Sequence, residues 1–161
     1  LRAQDIQLLL LDVDGVLTDG GLYFGSEGEQ LKRFHTLDGL GIKLLQQAGI
    51  VPAVVTGRDS LALRARLQAL GVTQVRYGTE DKAPAAQSIL DELGLQWSDA
   101  AAMGDDWPDL ALLRRARFAC APSQAHHVTH RAGGAGAARE LCDLLLVASG
   151  RYADLWREAM A

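Results

Sequence analysis

Cysteine is scarce in this chain: there are two, Cys120 and Cys142, each inside an apolar stretch and neither in a close pair. That excludes a disulfide-stapled scaffold and a cysteine-based zinc site, which both need clustered thiols. Two buried thiols in a reducing compartment are expected instead. Long apolar runs are missing too. Stretches such as Leu8 to Leu11 fall far short of the roughly 20 residues a bilayer-spanning helix needs, and there is no basic flank with a small-residue cleavage site of the secretory kind. The expectation is a cytoplasmic protein without a membrane partner. Basic residues are not in excess: 16 Lys and Arg stand against 20 Asp and Glu, for a formal charge of -4. With no basic run, the footprint that nucleic-acid binding requires is absent. Disorder is excluded from the other side, because 48% of the 161 residues are apolar, enough to build a core.

What is present is an alternation. Short apolar runs at Ile6 to Asp12, Val51 to Thr56, Gln74 to Tyr77, Ala100 to Gly104 and Arg117 to Ala121 read as strands. Most are apolar throughout, as parallel strands covered on both faces should be. Between them Leu63, Leu67 and Leu70, then Ala86, Leu90 and Leu93, repeat at helical spacing. A last long helix is expected from about Ala137 to Ser149. Gly49, Gly71, Gly94 and Gly150 sit where left-handed helix ends belong, and Pro84 and Pro108 where helices begin. The pattern predicts one α/β domain over residues 1–161, a doubly wound and mostly parallel sheet. An amphipathic tail over about 150–161 carries Tyr152, Leu155 and Trp156. One stretch, about 21–36, breaks the alternation: two β-prone arms around Gly25, Ser26 and Gly28 read as an inserted hairpin with a longer loop.

The polar residues fall at one edge of that sheet. Asp12 and Asp14 close the first strand, Thr56 the second, and Asp105 and Asp106 follow the fourth, while Lys82 opens the helix after the third. All lie at the carboxyl edge, where open α/β sheets place their ligands. Several carboxylates converging there repel one another unless a cation sits among them. A hard divalent ion with oxygen ligands, Mg2+, is the natural partner, held by Asp12, Asp105 and a main-chain carbonyl near Asp14. A carboxylate beside such an ion can attack phosphorus, and Asp12, held by the sheet, is the better nucleophile. Asp14 can then exchange protons with the leaving oxygen and with water, while the Thr56 hydroxyl and the Lys82 ammonium stabilise the phosphoryl oxygens.

These residues together resemble the haloacid dehalogenase superfamily. "DVDGVLT" matches its first motif, "VVTGR" its second, Lys82 its third and "GDDWPD" its fourth. The resemblance implies a Rossmann-like core with Asp12 as nucleophile, Asp14 as acid and base, Thr56 and Lys82 as further catalytic groups, and Asp12, Asp14 and Asp105 as magnesium ligands, Asp14 through its carbonyl. Asp106 and Asp109 would support those ligands from behind. The spacings leave no room for a cap domain. Within that capless branch the chain resembles the 3-deoxy-D-manno-octulosonate 8-phosphate phosphatases of lipopolysaccharide sugar synthesis, through the hairpin, "TLDG" from Thr36 and "AGGAGAARELCD" from Ala132. This implies a small sugar acid phosphate as substrate, held by Asp38, Gly39, Lys43, Gly57, Arg58 and Arg66, and a homotetramer in which hairpins pack together and tails reach neighbouring sites.

Plainer explanations exist for several of these residues. Asp106 can cap the helix that Pro108 begins, Asp109 can be a first-turn acid, and Lys82 a solvated surface lysine. Arg66 shares its helix with Arg64, a pattern equally suited to a solvated face. His126, His127 and His130 read as loop or surface residues, and Gly133, Gly134 and Gly136 as a flexible turn. A phospho-receiver or regulatory module that takes phosphate on an aspartate is the rival of another class. A phosphatase for a nine-carbon sugar acid is the rival within enzymes.

Overall fold

The four leucines Leu8–Leu11 (β1) have no polar face, and in the computed structural model, which describes residues 2–121 and 129–160, all four are fully buried. A strand apolar on both faces has to be covered on both. After β1 come the hairpin strands Tyr23–Gly25 (β2) and Gly28–Leu31 (β3), then helix Thr36–Gln47 (α1), strand Val51–Val55 (β4), helix Leu61–Leu70 (α2) and strand Gln74–Arg76 (β5). Helix Lys82–Leu93 (α3), strand Ala100–Met103 (β6), the single turn Leu110–Leu113 (α4), strand Phe118–Cys120 (β7) and helices Ala137–Ala148 (α5) and Tyr152–Met160 (α6) complete the order. The main sheet runs β5-β4-β1-β6-β7, every pairing parallel, with the antiparallel β2-β3 ribbon outside it.

β1 therefore lies at the centre, and its alternate side chains feed two cores. Leu9 and Leu11 pack with Ile42 and Leu45 of α1, Leu67 of α2 and Leu141 and Leu145 of α5. Leu8 and Leu10 pack with Ala86, Ile89 and Leu90 of α3 and Leu112 of α4. Each fully buried leucine contributes about 1.5–3 kcal/mol, so β1 is held as firmly as any element. Pro52 sits inside β4 without cost to the ladder: it pairs with Leu9 of β1, while β5 begins only opposite Ala53. The nitrogen that cannot donate thus faces no strand.

Local chemistry sets the helix ends. Ser60 accepts the Leu63 N–H at 3.3 Å to start α2, and Gly49, Gly71, Gly94 and Gly150 all have positive φ just past a helix. The strands are one to three residues shorter than the apolar runs suggest, so Asp12 and Thr56 sit just beyond them. The hairpin differs more. Gly25 pairs with Gly28, leaving a two-residue turn of Ser26 and Glu27 in place of the longer loop, and its arms end at Leu31. Gly28, at φ 102, supplies the backbone that so tight a turn needs. Both cysteines are buried thiols. Among the described residues no helix is long and apolar enough to cross a membrane.

Candidate active site

At the centre of the sheet, chain connections leave β1 and β6 in opposite directions, which opens a crevice beyond their carboxyl ends. The Asp12 N–H donates to Met103 O at 3.0 Å, extending the β1-β6 pairing by one residue, so the Asp12 carboxylate is fixed by the sheet. Opposite it, Lys82 is the first residue of α3 and is buried. Its ammonium donates to Asp12 Oδ1 at 2.7 Å and to Asp109 Oδ1 at 2.6 Å. The other oxygen of Asp109 accepts the N–H groups of Asp105 at 3.1 Å and Asp106 at 3.3 Å. Asp109 is thus a buried clamp that joins Lys82 to the loop after β6, a stronger role than that of a first-turn acid. Asp106 accepts the Trp107 N–H at 2.7 Å and caps the short 3-10 turn Trp107–Asp109, with its side chain exposed.

Carboxylate oxygens of Asp12, Asp105 and Asp109 lie within 4.8 Å of one another. Burial, then repulsion from Asp109, pushes the Asp12 pKa up to about 6, against the pull of Lys82. Burial and the Asp109 charge likewise hold Asp105 above the usual carboxylate range. Burial opposes the Lys82 charge, yet the two carboxylates beside it keep its pKa above that of an ordinary lysine. One ammonium among three carboxylates leaves excess negative charge, and an all-oxygen donor set fits a hard divalent cation such as Mg2+. Asp109, with both oxygens engaged, is the least free of the three to ligate. Thr56 is buried beside them, its hydroxyl accepting the Arg58 N–H at 3.3 Å. The cleft, of about 530 Å³, is lined by Asp12, Asp14, Thr56, Gly57, Arg58, Lys82, Asp105, Asp106 and Asp109, and also by Gly20, Thr79, Glu80 and Pro108, which sequence reasoning did not assign to the site.

The loop after β1 turns tightly, with the N–H groups of Val16, Leu17 and Thr18 all donating to Val13 O. Gly15, at φ 85, brings its Cα against the Asp105 carboxylate, where a Cβ would overlap it. The loop is braced from behind by the glycine-rich segment. The Gly134 N–H donates to Val16 O at 3.2 Å, and a Cβ on Gly133 would overlap the Gly15 carbonyl. Glu140 holds that segment by accepting the His130 and Arg131 N–H groups. So Gly133 and Gly134 form a packing surface rather than a loose turn. The Asp14 side chain lines the cleft but is not part of the metal-sized cluster. Its Oδ1 accepts from Lys32 Nζ at 2.5 Å, and Arg58 Nε stands 3.6 Å from its Oδ2. Lys32 was not legible as a site residue, since nothing in an alternating hairpin arm marks one lysine.

The residues assigned to the sugar acid divide. Gly57 and Arg58 line the cleft, but Asp38, Gly39, Lys43 and Arg66 of the same chain do not. Asp38 is buried and its carboxylate accepts the Arg139 N–H at 2.8 Å, tying α1 to the start of α5. Burial raises its pKa. Arg66 donates to His35 O at 3.4 Å and lies over the Phe34 ring, and a Cβ on Gly39 would meet its guanidinium. Lys43 is exposed on α1, by a shallow depression shared with Gln46, Gln47 and Gln68. His130 is exposed, with Nδ1 3.1 Å from Glu140. His126 and His127 lie outside the described residues.

No family model matches the chain. The 3-deoxy-D-manno-octulosonate 8-phosphate phosphatase of Escherichia coli K12 is 39% identical over 158 residues, covering 93% of this chain and 84% of that protein. The chain belongs to that phosphatase family. Among solved structures of the 3-deoxy-D-manno-octulosonate 8-phosphate phosphatases, the Moraxella catarrhalis protein in complex with magnesium, phosphate and KDO superposes with a TM-score of 0.93 at 36% identity, over 99% of this chain and 96% of that one. A Legionella pneumophila structure described as a putative haloacid dehalogenase superfamily hydrolase of subfamily III A gives 0.90 at 41% identity, over 94% and 88%. As in a capless member of that superfamily, only the β2-β3 hairpin separates β1 from α1, and only α2 and β5 separate β4 from α3.

Proposed function

We propose that the protein is a magnesium-dependent phosphomonoesterase that releases phosphate from 3-deoxy-D-manno-octulosonate 8-phosphate through an aspartyl-phosphate on Asp12. The observation that carries this reading is the sheet-fixed Asp12 carboxylate, bound to the buried Lys82 ammonium and sharing an oxygen-rich cluster with Asp105. The magnesium, phosphate and KDO bound by the Moraxella catarrhalis relative support the same chemistry. Magnesium would be held by Asp12, Asp105 and the main-chain carbonyl of Asp14, and would supply neutralisation of the phosphoryl charge.

The residues act in two balanced steps. Asp12 attacks phosphorus and the bond to the sugar oxygen breaks, while Asp14 gives its proton to that oxygen. Water then gives a proton to Asp14 as it attacks phosphorus, the bond to Asp12 breaks, and inorganic phosphate leaves with Asp14 protonated again. Lys82 and the Thr56 hydroxyl hold the phosphoryl oxygens, with Asp109 fixing Lys82 and Asp106 shaping the loop. Arg58 at the cleft mouth, beside Gly57, suits the sugar carboxylate. Lys43 and Arg66 reach a sugar acid only in a neighbouring copy, and the buried Asp38 and Gly39 act by holding α1 against α5 and α2.

Such copies are provided by a homotetramer built on the hairpins. Its support is the exposure of Tyr23, Phe24 and Leu31 on a two-stranded ribbon, which is marginal alone in water. The whole chain serves as one domain in the cytoplasm, in lipopolysaccharide sugar synthesis, without nucleic-acid partners. The test is a kinetic panel of eight- and nine-carbon sugar acid phosphates with and without magnesium. Preference for the eight-carbon ester by orders of magnitude, lost on chelation, is the expected result. Equal turnover of the nine-carbon ester, a flat profile or activity indifferent to magnesium would each overturn it.

A further inference from the structure

Lys32 has no part in the reading above, and its environment is unusual for a lysine. Its side chain is completely buried, a placement that costs several kcal/mol for an unpaired ammonium. Two carboxylates compensate it. Asp14 Oδ1 lies 2.5 Å from Nζ and Glu29 Oε1 lies 3.0 Å away. Glu29 belongs to β3 and Lys32 follows that strand directly, whereas Asp14 belongs to the loop after β1. The ammonium is therefore a tether from the hairpin to the loop that carries the proton donor.

The tether has a geometric consequence. A carboxyl group that serves a leaving oxygen must be held in one rotamer, and misplacement by about 1 Å can cost on the order of 100-fold in rate. Lys32 engages one Asp14 oxygen and leaves Oδ2 on the side of Arg58, which lines the cleft. We propose that Lys32 is the positioning residue for Asp14, fixing its carboxyl group from the hairpin so that hairpin order governs proton transfer to the leaving group. This rests on the proposed acid role of Asp14.

The test uses two esters, the sugar acid phosphate, whose alkoxide needs a proton to leave, and p-nitrophenyl phosphate, whose phenolate does not. With Asp14→Asn, Lys32→Met and the double variant, all with magnesium, Lys32→Met lowers kcat/KM, which reports the steps up to departure of the leaving group and not the later attack of water, by about 100-fold for the sugar ester and by less than about 10-fold for p-nitrophenyl phosphate. In the Asp14→Asn background the same substitution has no further effect. Equal losses on both esters, or losses that multiply in the double variant, would show a merely structural lysine and overturn the proposal. Sugar-ester turnover retained by Asp14→Asn would remove the acid role itself, and this inference with it. Lys32→Gln, a shorter, uncharged polar side chain, carries the same comparison if the methionine variant does not fold.

Discussion

Asp12 combines two demands that oppose each other: it must be buried to be held by the sheet, and ionised to act as a nucleophile. Its pKa, raised from 3.8 to about 6 by burial and by Asp109, measures the conflict. The folded state keeps its proton more tightly than the unfolded chain, so this group's stabilisation is complete below pH 3.8 and is lost as pH rises through about 6. The loss amounts to roughly 3 kcal/mol. In chelator, Asp12→Asn is expected to match the wild type near pH 4 and to exceed it in stability by about that amount at pH 7, read from urea midpoints. The same variant should fold and lose turnover. A stability gap independent of pH would mean that Lys82 keeps Asp12 ionised throughout. Asp12, Asp14, Thr56, Lys82 and Asp105 were legible because each follows an apolar run or opens a helix, so topology alone brings them to one edge. Asp109 was legible only as a supporting acid and Lys32 not at all, because a buried pair made across the fold leaves no local pattern.

Among the elements, apolar runs identified four of the five strands of the main sheet, since parallel strands buried on both faces need nothing else, while the half-buried edge strand β5, with Gln74 and Arg76, was placed by the alternation with helices. The hairpin turn was misjudged, because the pairing of Gly25 with Gly28 depends on cross-strand register rather than on composition. The glycine-rich segment was misjudged for a similar reason: what makes Gly133 necessary is the backbone of another loop. Gly133→Ala is expected to cost about 1–3 kcal/mol and to lower kcat, because the added methyl pushes on the Gly15 carbonyl. A thermal melt with a parallel activity assay measures both. An unshifted melting temperature would mean that the brace yields without cost.

For the whole molecule, the hairpin is the feature least explained by one chain. Phe24 is 65% and Leu31 64% exposed, which is unfavourable for a soluble monomer unless another surface covers them. Replacing both by glutamate is expected to break the proposed tetramer into smaller species, seen by sedimentation, and to reduce turnover, since Lys32 sits just beyond Leu31. Dissociation with unchanged kinetics would separate assembly from activity.

The brace formed by Gly133 and Gly134 also orders events in time. During synthesis the aspartate-bearing turn leaves the ribosome early, yet the backbone it leans on emerges only when most of the chain has been made. Central β1 likewise waits for β6. A nascent chain therefore completes this corner of the fold only after nearly all of it has emerged.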